Sequence, residues 1–108
     1  MTLAILPILL AAAFLEAGGD ALIRLGLHAH AAPRALFLLA GALVLFSYGL
    51  TVNASVIDFG KLLGLYVVAF FLAAQLINLV LFRAAPDLST IAGGALIVAG
   101  GLVISLAP

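Results

Sequence analysis

The 108-residue chain contains no cysteine and no tryptophan. Without cysteine there is no disulfide framework, no thiol nucleophile and no thiolate ligand for a metal. Charge is almost as scarce. Four Lys+Arg stand against four Asp+Glu, 7% of the chain, where a soluble domain carries about 25%. Hydrophobic residues make up 68%. So few polar groups cannot cover the surface of a soluble fold of this size, and the composition reads as a membrane protein. A formal net charge of +0 leaves no concentrated basic patch of the kind nucleic acid requires. No nucleophile–base pair, phosphate-cradling loop or zinc motif is present, so the chain is not expected to be an enzyme or to hold a cofactor. His28 and His30 flank one alanine, but a metal site needs three or four ligands and nothing nearby completes one.

The apolar residues fall into four segments long enough to span a bilayer, which takes about 20 residues per helix. The first is expected over about 3–27, the second over 35–52, the third over 62–82 and the fourth over 88–106. "HAHAAPR", "NASVIDFGK" and "RAAPD" separate them, with Pro33 and Pro86 interrupting any continuous helix. Asp87 and Ser89 after Pro86 form a helix-start signal. The apolar runs are continuous rather than alternating, which favours helices over a β-barrel. The expected fold is therefore all-α, a single four-helix transmembrane bundle, with short turns making neighbours antiparallel. "MTLAILPILLAAAFLEA" lacks the basic leader region of a signal peptide and reads as a retained span. Arg24, Arg34 and Arg83 lie on the side of the first and third connections, Lys61 on the side of the termini. This thin majority would place the termini outside the cytoplasm.

Within "AAAFLEAGGDALIRLGLHAH", Glu16, Asp20 and Arg24 recur every four residues and so form one stripe, extended by His28. Glu16 lies roughly 20 Å into the span, near mid-membrane. A carboxylate there costs several kcal/mol unless protonated, paired or facing water. Asp20 and Arg24 can satisfy each other as an i,i+4 pair, whereas Glu16 has no partner in its own helix. Glu16 is accordingly the leading candidate for a proton or cation site. Gly18 and Gly19 leave room beside it for a ligand or another helix. In the third span, Lys61, Gly64, Val68, Gln75 and Asn78 cluster on one side, and Tyr66 and Phe70 on another. Gln75 and Asn78 are suited to interhelical hydrogen bonds; Tyr66 facing inward offers a π-face to a cation and a hydroxyl to Glu16. In "IAGGALIVAGGLVI", Gly93 and Gly94 precede Gly100 and Gly101 by seven residues. Both pairs share a face where helix backbones can approach closely, within the protein or across a dimer of eight helices.

This arrangement resembles the small multidrug resistance family of the drug/metabolite transporter superfamily, and more narrowly its YnfA-like branch, over nearly the whole chain. "FLEAGG" is similar to the family's acid-then-glycine signature and places its essential membrane glutamate on Glu16. "IDFGKLLGLY" is similar to the segment entering the third helix, with Gly60, Lys61 and Tyr66 at its anchor positions. "IAGGALIVAGG" matches the dimer seam through Gly93 and Gly100. The chain departs from the multidrug members in carrying Tyr66 for tryptophan, Asp58 for proline, and the additional Lys61 and Asp20. The resemblance implies an integral protein of the bacterial inner membrane. It would be an antiparallel homodimer that exchanges protons for small cationic substrates, embedded in lipid. Two other readings stand beside it: a non-transporting membrane subunit whose polar residues join helices, and a transporter whose Lys61 and Arg24 favour anionic or lipid-linked cargo.

Overall fold

The computed structural model describes residues 5–28 and 33–106. Four helices follow in order: α1 (Ile5–His28), α2 (Arg34–Asn53), α3 (Phe59–Leu81) and α4 (Leu88–Leu106). All four are long and apolar enough to cross a membrane, and the protein is an all-α, multi-pass integral membrane protein. The expected beginning of the first span at Leu3 and the histidine at position 30 lie outside the described residues.

The helix ends have local causes. Helix α3 begins at Phe59, three residues before the expected Leu62, because the Asp58 carboxylate accepts from the Lys61 N–H at 3.1 Å and caps the first turn. Helix α4 begins after Asp87, whose Oδ1 accepts from the Thr90 N–H at 2.8 Å and the Ser89 hydroxyl at 3.0 Å. These bonds, Thr90's foremost, hold the Asp87 carboxyl below its ordinary range. At the end of α3, Asn78 closes the turn: its carbonyl accepts from the Phe82 and Ala84 N–H groups, and its Nδ2 donates to the Ala84 carbonyl.

The packing is an open row rather than a closed square. Helices α1 and α3 lie at the centre, α2 packs on α1, and α4 packs on α3. The least extent of the molecule is 18 Å against a greatest of 51 Å. Small residues set the α1–α2 approach. A Cβ on Gly19 would fall 2.8 Å from Leu45 Cγ and 3.2 Å from the Gly41 carbonyl, and one on Gly26 would fall 3.0 Å from Phe37 Cβ. On α2 the residues facing the centre recur as Gly41, Leu45, Tyr48 and Val52, the spacing of a helix seam. Helix α3 has two such faces. Leu62, Tyr66, Ala69 and Ala73 are buried toward the core shared with Leu9, Ala12, Ala13 and Ala17 of α1. Gly64, Val68 and Phe71 meet Ile104, Gly101 and Gly94 of α4. The expectation that Gly64 and Val68 share a polar face with Gln75 and Asn78 is therefore corrected: the first two form the α4 seam, while the amides border α1. No charged side chain is buried among the described residues.

Candidate functional site

Helix α1 has 24 residues, about 36 Å at 1.5 Å per residue, and Glu16 falls at its middle. Beside it on α1, small residues Ala12, Ala13 and Ala17 let α3 come close enough for a side chain to bridge the two helices. Tyr66, 4% exposed, does so. Its hydroxyl lies 2.9 Å from Glu16 Oε1 and 3.1 Å from the Ala12 carbonyl oxygen. One hydroxyl hydrogen thus has two acceptors within reach, one on a titratable side chain and one on the backbone a turn earlier.

Aromatic rings surround this contact. Tyr48 of α2 stands 5.5 Å from the Tyr66 ring, centroid to centroid, tilted by 30°, and Phe70 stands 6.2 Å from it, tilted by 35°. With Glu16, Leu63 and Val67 these rings line a recess of about 280 Å³. Electron-rich ring faces beside a carboxylate suit an organic cation. Tyr48 is not among the residues that the sequence singles out as candidates for the site. Its signal was the spacing Gly41–Leu45–Tyr48–Val52, which puts it on the same face as two residues that prove buried.

Asp20 is not part of this recess. It lines a second, larger cavity of about 580 Å³ between the later halves of α1 and α3, together with Arg24, Gln75 and Asn78. Phe70 borders both spaces. The i,i+4 pairing of Asp20 with Arg24 does not form: among the described residues Asp20 makes no ion pair or hydrogen bond. The Arg24 guanidinium instead sits over the Phe82 ring, 5.9 Å from its centroid. Gln75 makes no hydrogen bond among the described residues, and Asn78 spends its amide N–H on the turn after its own helix rather than on another helix.

Several other expected positions lie apart from Glu16. Gly19 is taken up by the α1–α2 seam, whereas a Cβ on Gly18 would meet nothing within 4 Å. Gly60 and Lys61 belong to the capped first turn of α3 and line neither space. The paired glycines of α4 divide their work. Cβ atoms at Gly94 and Gly101 would strike Phe71 and Val68, while Gly93 and Gly100 have nothing within 4 Å.

No family model matches the chain, and no curated protein or solved structure is significantly similar to it.

Proposed function

We propose that the protein is a proton-coupled membrane transporter of small cationic or amphipathic compounds, similar in working principle to the small multidrug resistance family and its YnfA-like branch, in the bacterial inner membrane. The observation that carries the reading is the Glu16–Tyr66 contact at mid-helix, flanked by Tyr48 and Phe70. A titratable acid at that depth is expensive to keep, and its neighbours are aromatic faces rather than a fixed base.

With the recess empty, Glu16 holds a proton and donates it in a hydrogen bond to Tyr66 Oη, and the Tyr66 hydrogen turns to the Ala12 carbonyl. When an organic cation enters, the Glu16 proton departs to water, and the carboxylate neutralises the cation while accepting from Tyr66. Proton and cargo occupy Glu16 in turn, never together, and this exclusion couples the two flows. A rocking of the two halves of the dimer then changes the side to which the recess opens. The open glycine edge of α4, Gly93 and Gly100, supports a second copy packing there as a homodimer. No step requires bond-making chemistry on the cargo, in keeping with a transporter rather than an enzyme.

Reconstitution into proteoliposomes with an internal pH dye tests this. Cation uptake driven by a proton gradient is expected from the unaltered chain and is expected to be lost in Glu16→Gln. Coupled uptake that persists in the variant would refute the assignment.

A further inference from the structure

The Asp20 cavity carries its own chemistry. Its charged lining comprises one carboxylate, Asp20, and one guanidinium, Arg24, a helical turn apart on α1, about 6 Å along the axis. The two do not pair with each other, although their spacing would allow it. Two primary amides face the same space from α3. Gln75 has no hydrogen-bond partner among the described residues, and Asn78, its Nδ2 engaged with Ala84, keeps its Oδ1 as an acceptor. Phe70, Ala17 and Ala74 supply an apolar wall.

We propose that this cavity binds a small zwitterion, an ω-amino acid whose ammonium group rests on Asp20 and whose carboxylate rests on Arg24. Both side chains are exposed but stand on α1, a helix long and apolar enough to cross the membrane, where each singly charged ligand would leave one of the two without a counter-charge, at a cost. A dication would face Arg24, and a dianion Asp20. A zwitterion with separated charges answers both. The N–H bonds of a primary ammonium find the Asp20 carboxylate and the amide oxygen of Gln75. A short methylene chain lies along the apolar wall. Arg24 is four residues from the end of α1, so the carboxylate end points toward the membrane surface and the ammonium end toward its middle. This site is separate from the Glu16 recess and does not depend on proton exchange there.

Equilibrium dialysis of the purified full chain in nanodiscs against radiolabelled 4-aminobutyrate tests the proposal, with n-butylamine and butyrate as competitors that each keep one of its charges. Saturable binding is expected, with each competitor weaker than unlabelled 4-aminobutyrate by about tenfold or more. Asp20→Asn and Arg24→Gln are each expected to weaken binding by a similar factor with helical content unchanged. No saturable binding, competition by n-butylamine or butyrate equal to that of 4-aminobutyrate, or unchanged binding in both variants would overturn it. The competitor arm uses the unaltered chain and so holds even where a variant folds poorly. Proton exchange at Glu16 is read with a different cargo, so either proposal can fail alone.

Discussion

Tyr66 is the residue on which the site geometry turns, because among the described residues its hydroxyl is the one group that joins α1 and α3 by side-chain hydrogen bonding within the apolar core. Replacing it with phenylalanine keeps the ring contacts with Tyr48 and Phe70 and removes only that link. Tyr66→Phe is expected to lower stability by about 0.5–1.5 kcal/mol, measured by unfolding in mixed micelles, and to weaken proton coupling without abolishing cation binding. An unaltered unfolding curve together with unaltered coupling would show that the hydroxyl is incidental. This contact was partly legible beforehand. Glu16 stood out because an acid without a local partner in an apolar run is rare, and Tyr66 because an inward tyrosine is the natural donor to it. Tyr48 and Asp20 were harder. A tyrosine in an apolar helix has several ordinary uses, and Asp20 with Arg24 four residues on matches a salt bridge that the structure does not make. Spacing tells which side chains can meet; the aromatic alternative at Phe82 comes from a residue 58 positions away, which local spacing does not reveal.

Among the elements, the helices were readable as long apolar runs and their seams only in part. The glycine pairs of α4 marked close approach, yet nothing in the sequence told which member of each pair met α3. That depends on the rotation of α4 about its axis, fixed by Phe71 and Val68 on the neighbouring helix. The seam in which backbone meets backbone, Gly19 against Gly41, lies between α1 and α2. A Cβ on Gly41 would come within 2.9 Å of the Gly19 carbonyl and 3.1 Å of the Ile23 nitrogen, both backbone atoms. Gly41→Ala is expected to destabilise by about 1–3 kcal/mol. Gly49→Ala, on the same helix with nothing within 4 Å, should be neutral or slightly stabilising. Equal effects of the two in the same unfolding assay would contradict this seam. The start of α4 has a pH signature. Asp87 titrates below its ordinary value of 3.8 because Thr90 and Ser89 hydrogen-bond to it. Its stabilising contribution is complete above that value and disappears as pH falls through the lower folded one. The Thr90 amide resonance should shift with a midpoint below 3.8; a midpoint at or above it would show that the cap does not form.

At the scale of the whole molecule, the open row leaves most large apolar side chains outward. Leu36, Leu39, Leu43, Phe46 and Leu50 form a continuous exposed face on α2, which lipid covers without cost. A row 18 Å thick cannot by itself enclose a path across a bilayer, which is why the proposed transporter is a pair of chains. Composition alone established the membrane, and run lengths the number of spans. The order α2–α1–α3–α4 was not legible, since it is set by which small-residue faces meet. The central claim is that Glu16 holds a proton or a cation but not both. Its most direct test is proton release on binding in weakly buffered detergent solution, read with a pH dye as tetraphenylphosphonium is added. Release that saturates with binding, and is absent in Glu16→Gln, is the result expected. Binding without release, or the same release from the variant, would contradict it.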